Sequence, residues 1–539
     1  NITTLSPLNV NGNVTAGGNI TLTASETSDS PAYGDDINVN ANITSTGGNV
    51  ELYAGDDINQ AAGTTITANA AGATITIAAA FLDQDNHGEI DSDGTIQTNN
   101  GDINISARDN IDLTTIVAGT GDVTIASNFG DININSVSAD DLNASSEDGI
   151  TVANSTITTF TGQVTGTGDI NVNNETDGIV LASVQTTNGD ITVNAGGDIY
   201  VTSVSAIDHR VTLTSGDEII DNNATATSDI KSNDLILDAV VGIGHGDAID
   251  TEVKNLSARV TTGNNNIEIL NTGDLELTDL AGWGYAVNNA GTGNINITVN
   301  SNLTVDDLVN SNGGDITLTA NSGAIIQNAT GDITTNDGLF TGSAVGPYTM
   351  ADGAIINTGN GNIDIDAGGD ITIGQLIGSN IFLNSGGAIV DGGDTGGEDI
   401  QGIAAELVAS TGIGNGNAID TLLTNLAARS TAGPININET DNLTVAPVGT
   451  TTGITTTGDI DLDIGDNLIL AANNDINSNG GGITIDADDV TQNDGADILS
   501  SGTPTDGDIT LNIRSLNQGS DSKIDAGNAN VDINATGSV

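Results

Sequence analysis

Gly101-Asp102-Ile103-Asn104-Ile105 decides the fold, because its phrase keeps returning. It recurs as GDVTI from Gly121, GDINI from Gly130, GDINV from Gly168, GDITV from Gly189, GNINI from Gly293, GDITL from Gly314, GDITI from Gly369 and GDITL from Gly507. Ile103 and Ile105 sit two apart, so they share one side of an extended strand while Asn104 faces the other. The glycine is expected to supply the positive φ of a tight corner, and the Asp or Asn to bond its own backbone there. Starts of the phrase lie 20 residues apart from Gly101 to Gly121 and 21 apart from Gly168 to Gly189. A short phrase recurring at such a period marks a solenoid.

Coils of about twenty residues, each with two or three short strands, stack so that every strand runs parallel to those above and below it. The expected fold is all-β: a parallel β-helix whose bore is filled by Ile, Val and Leu. Residues 1–539 read as a single continuous β-solenoid. Roughly 25 coils at about 4.8 Å each would give a rod on the order of 120 Å long. Gly, Thr and Asn are too frequent for long helices, with a helical turn or two expected only at Ile249 to Ala258 and Ile403 to Ser410.

Hydrophobic residues make up 36% of the chain but aromatics only 2%, which calls for a narrow, aliphatic core. Seventy-two acidic residues face 8 Lys and Arg, a formal charge of −64. That charge repels nucleic acid and anionic membranes, favours cations, and keeps a β-edged solenoid soluble. Without cysteine there is neither a disulfide nor thiol chemistry. No apolar run is long enough to span a bilayer, so membrane insertion is not expected. Asn1 to Val10 lack the pattern of a signal peptide, and the expectation is a removed leader or a start inside a longer precursor.

A second, longer repeat overlies the first. The block from Gly216 to Ile267 recurs from Gly386 to Ile437 at a constant offset of 170 residues. Ala248-Ile249-Asp250-Thr251 returns as Ala418-Ile419-Asp420-Thr421, and Ala258-Arg259 as Ala428-Arg429. A fainter echo surrounds Gly323 and Gly346.

The GDI-x-[IVL] coils, with GIGHGDAIDTEVKNLSAR and its copy GIGNGNAIDTLLTNLAAR, resemble the repeat regions of very large bacterial exoproteins of the filamentous haemagglutinin and adhesin type. The likeness covers essentially the whole chain. It implies a right-handed parallel β-helix, secreted and displayed as a stalk, fibre or matrix component, extracellular or on the cell surface. The expected partners are other copies or flanking repeats end to end, with surface glycans or neighbouring cells as an adhesive alternative.

Three kinds of site stand out from the repeat. Asp83 to Gly94 reads as an acidic loop in which Asp83, Asp85, Asp91 and Asp93 are candidate calcium ligands, with a solvated corner as the bland reading. His87 and Gly94 depart from the calcium-loop pattern, and Asp391 to Asp399 is a looser version of it. Trp283 and Tyr285 are the one neighbouring aromatic pair and the candidate glycan contact, or else the cover of a solenoid flank. Gly244-His245-Gly246 resembles the GHG of polygalacturonases, and Asp140-Asp141 or Asp306-Asp307 could serve an inverting hydrolase. That enzyme's companion motifs are missing and Asn415 replaces His245 in the copy, so no enzyme and no required cofactor are expected.

Overall fold

In the computed structural model, which describes residues 1–5, 7–25, 34–81, 86–175, 177–223, 225, 227–393, 395–503 and 505–539, the deciding phrase forms the strand Ile103–Ala107. It lies parallel to Val123–Ser127, with Ile103 opposite Val123 and Ile105 opposite Ile125. The same relation recurs throughout. The described residues form 58 strands stacked in parallel coils of about 22 residues, a β-solenoid, and contain no helix. No helix is therefore long and apolar enough to cross a membrane.

The chain divides into two compact units, Asn1–Lys254 and Asn255–Val539. In the first, Ile75, Ile103, Val123, Leu142 and Phe160 form one inward column, each opposite the next in register. In the second, Ile295, Ile316, Phe340, Ile363 and Ile381 do the same. All are buried, and each aliphatic side chain in such a column contributes about 1.5–3 kcal/mol relative to exposure. Where an aromatic ring enters the bore a glycine makes room: a Cβ on Gly162 would stand 2.6 Å from the Phe160 ring, and one on Gly342 2.6 Å from Tyr348.

The phrase glycines work differently from expectation. None of Gly101, Gly121, Gly168, Gly189, Gly314 and Gly507 has a positive φ; that conformation falls to neighbours such as Asn100 and Gly313. What excludes a side chain is the coil before. A Cβ on Gly121 would lie 2.4 Å from the Gly101 carbonyl oxygen, and one on Gly314 2.1 Å from that of Gly293. The corners stack glycine on glycine, closer than any Cβ allows.

The Asp or Asn that follows also acts between coils rather than within its own. Asp102 Oδ1 accepts the Asp122 N–H at 3.1 Å, Asp169 Oδ1 that of Asp190 at 2.8 Å, and Asn294 Oδ1 that of Asp315 at 2.9 Å. Each bond satisfies a corner N–H that no strand reaches. The same ladder reads out coil length, from 18 residues between Asn362 and Asn380 to 32 between Asp57 and Glu89. A hydroxyl three residues before the glycine completes the corner: Ser146 Oγ donates to the Gly149 carbonyl at 2.9 Å, and Thr335 Oγ1 to that of Gly338 at 2.6 Å.

The two segments expected to turn as helix are extended. Ile249–Glu252 and Asn255–Val260 are strands, and Ile400–Ala409 is one strand of ten residues. In the latter, Ala405 sits opposite Ile381 and Leu407 opposite Leu383, so stacking on the coil before overrides the helical propensity of Ala, Glu and Leu.

Candidate functional site

Among the described residues, one close group of carboxylates comes from three corners of the first unit. Asp221 ends the strand Glu218–Asp221, Asp229 precedes Ile230–Ala239, and Asp250 lies second in Ile249–Glu252. One oxygen from each lies within 4.8 Å of the others. Asp229 is buried; its Oδ2 accepts the Asp250 N–H at 3.2 Å, and its Oδ1 accepts a bond from the Asn223 amide. Asp221 Oδ1 accepts the Asn223 N–H at 2.7 Å. Burial, and then the charge of Asp221, push Asp229 up to about 7. Burial followed by neighbouring aspartates also raises Asp221 and Asp250. Such a trio shares protons near neutrality or ligates a hard cation through oxygen.

A second trio, Asp122, Asp140 and Asp141, has the same spacing, and burial together with Asp141 raises Asp122. Sequence reading weighed Asp140-Asp141 as a pair but missed both trios, because Asp122 and Asp229 reach them only through stacking. The duplication held a signal for the first: Asp221, Asp229 and Asp250 recur as Asp391, Asp399 and Asp420.

Of the proposed calcium ligands, Asp83 and Asp85 lie outside the described residues. Asp91 and Asp93 do not belong to a loop. They point outward from the strand Ile90–Asn99, where they line a groove of about 300 Å³ with Asp112, Asn133 and Asn135. Burial, then Asp93 and Asp112, raise Asp91. The loop expected to run to Gly94 thus ends before Ile90, because Ser92 turns inward and its hydroxyl bonds Gln60 Oε1 at 2.7 Å. Gly94 lies within that strand, where a Cβ would meet the Thr64 carbonyl oxygen at 2.6 Å.

Trp283 and Tyr285 do come together, their rings 6.0 Å apart, in the connection between Leu275–Leu277 and Val287–Asn289. Asp279 shapes that connection, its two oxygens accepting the Trp283 and Gly284 N–H groups at 2.8 and 2.7 Å. The Arg259 guanidinium sits 4.3 Å over the Trp283 ring, on a face that a sugar would use. The other residues weighed for catalysis serve the framework. Asp307 Oδ2 accepts the Asp279 N–H at 2.8 Å, Asp306 Oδ1 bonds the Asn328 amide at 2.8 Å, and Gly244 and Gly246 have the positive φ of a turn. His87 lies 3.5 Å from Asp57, while His209 pairs with Asn188 at 2.7 Å, so the structure keeps these histidines at separate corners.

Compared with protein-family models, curated proteins and solved structures, the chain matches none.

Proposed function

We propose that this chain is a structural protein: an acidic β-solenoid segment of an exported, cell-surface or extracellular assembly of the filamentous haemagglutinin and adhesin type, acting as stalk, fibre or matrix component. One observation carries the reading. The corner of stacked glycine and bridging Asp or Asn persists through both units, from Asn19 and Asn49 to Asp508 and Asn530, so the chain is devoted to stacking coils. The formal charge of −64 fits a surface exposed to bulk solvent, where divalent cations act as screening charge. The role is mechanical and non-catalytic, with other copies or flanking repeats as end-to-end partners.

The test is immunogold labelling of intact source cells with electron microscopy of the shed material. Label on thin surface fibres supports the proposal. Label confined to the cytoplasm, or protein protected from added protease in intact cells, overturns it.

A further inference from the structure

Seven of the eight cationic side chains are engaged. Arg210 pairs with Asp234, Lys231 with Glu252, Lys254 with Asp208, Arg514 with Asp488 and Lys523 with Asp497, while Arg108 and Arg259 cover the rings of Phe129 and Trp283. Arg429 alone, among the described residues, has neither an ion pair nor a ring, and it is exposed. It lines a groove of about 390 Å³ on the outer face of the second unit, together with Asp364, Asp366, Phe382, Asn384 and Glu406.

Strand register gives this groove its order. Four adjacent strands set two outward columns side by side: Asp364, Phe382, Glu406, Ala427 and, next to it, Asp366, Asn384, Val408, Arg429. Polar groups therefore stand at both ends, with Phe382 and Val408 between them. Three strand steps separate the ends, on the order of 14 Å. At the arginine end a loop forms the wall, folded back by the bridge between Val448 and Thr451. Glu406 Oε1 holds that loop, accepting the Thr450 N–H at 2.9 Å and its hydroxyl at 3.0 Å, and Gly449 takes φ +57° where a Cβ would strike Glu406 Oε2. Val448 packs with Ala404, Ala427 and Phe382, which fixes the wall against the floor. At the opposite end Asp366 bonds the Asn384 amide at 2.9 Å, while Asp364 accepts no hydrogen bond from a described residue.

We infer that this groove binds a neutral saccharide chain of about three rings, laid across the stacked strands. The apolar faces of sugar rings fit Phe382 and Val408, and their hydroxyls complement an open carboxylate at one end and an open guanidinium at the other. Each strand step is comparable with the length of one ring. An acidic saccharide is disfavoured by Asp364 and Asp366, and burial followed by their mutual repulsion already raises Asp364. A peptide strand is disfavoured because a sheet face, unlike an edge, offers no free backbone groups to pair with. This goes beyond the structural role, which stands without it.

Native affinity electrophoresis of the full chain tests the inference, in gels cast with dextran, laminarin, xyloglucan or galactomannan, and with alginate and hyaluronan as acidic counterparts. The expected result is retardation by at least one neutral polymer, weakened 10-fold or more in Asp364→Ala and in Arg429→Ala and unchanged in Trp283→Ala. Circular dichroism confirms the fold of each variant; the two groove substitutions lie on the surface and break no internal bond. No retardation of the unaltered chain, retardation by the acidic polymers alone, or retardation of both groove variants equal to that of the unaltered chain overturns the inference. Failure here leaves the surface-fibre reading untouched, since labelling and microscopy judge that separately.

Discussion

The two copies of the duplicated block begin bond for bond alike and then diverge. At the first corner Ser215 Oγ donates to the Gly197 and Glu218 carbonyls at 2.8 and 2.9 Å, and Ser385 Oγ to those of Gly369 and Ala388, both at 2.9 Å. Asp198 accepts the Glu218 N–H at 3.1 Å, as Asp370 accepts that of Ala388 at 2.8 Å. Further along, Asp247 of the first copy becomes Asn417, whose amide donates to Asp391, and His245 becomes Asn415. The loop facing the shared arginine changes most: Trp283 covers Arg259, whereas the loop tied down by Glu406 leaves Arg429 open. The difference teaches which parts the stack dictates. At this first corner the atoms in contact with the coil before are reproduced, whereas the loop facing the arginine is not.

That division predicts the largest effect at the shared corner. A Cβ on Gly216 would lie 2.2 Å from the Gly196 carbonyl oxygen and one on Gly386 2.3 Å from that of Gly368. Backbone, not a flexible side chain, is in the way. Gly216→Val and Gly386→Val should each destabilise by about 3 kcal/mol, alike in the two copies, as read by urea unfolding. A cost well under 1 kcal/mol in either would break the argument that stacking requires these glycines.

A smaller, pH-dependent effect separates two strands placed alike, Ile267–Asn271 and Ile435–Glu439. Each ends in a buried polar residue. Asn271 is neutral and donates to the Gly273 and Asp274 carbonyls at 3.1 and 3.2 Å. Glu439 instead accepts the Thr421 hydroxyl at 2.8 Å and the Leu423 N–H at 3.1 Å, and burial outweighs these bonds to push it up to about 7. Because its folded pKa is raised, its favourable contribution is full below about 4.5 and lost as pH rises through about 7. Glu439→Gln should therefore stabilise the chain at pH ~8, by on the order of 2 kcal/mol, and change little near pH ~4. Thermal melts across that range decide it; a gain that persists undiminished at the acid end would assign the effect to packing instead.

Much of the architecture was legible because alternation is local: Ile103, Asn104 and Ile105 declare a strand without help from the rest of the chain. The reason for the glycine was not, since the atom that forbids a Cβ on Gly121 belongs to Gly101, one coil earlier. Local rules proposed positive φ, and the contact between coils won. The sites show the same boundary. Trp283 and Tyr285 were visible as an aromatic pair, yet Arg259 over the indole came only from stacking. Asp91 and Asp93 counted correctly for an ion loop, but Ser92 faces inward and makes their segment a strand.

The smallest effect tests whether the two acidic corners differ through charge. Asp247 raises both Asp221 and Asp250 by repulsion, behind the larger effect of burial, whereas Asn417 at the matching position donates to Asp391. Asp247→Asn gives the first copy the second's solution, and Asn417→Asp does the reverse. Both positions are exposed, so solvent screens most of the interaction and the expected change is about 0.5–1 kcal/mol. At pH ~8 the first substitution should stabilise and the second destabilise. At pH ~3, where aspartates take up protons, the two should approach zero together. Opposite signs at neutral pH that vanish in acid are the signature of like-charge repulsion. Equal signs, or shifts indifferent to pH, would mean that the corners differ in shape and that the exchange of Asp for Asn is incidental.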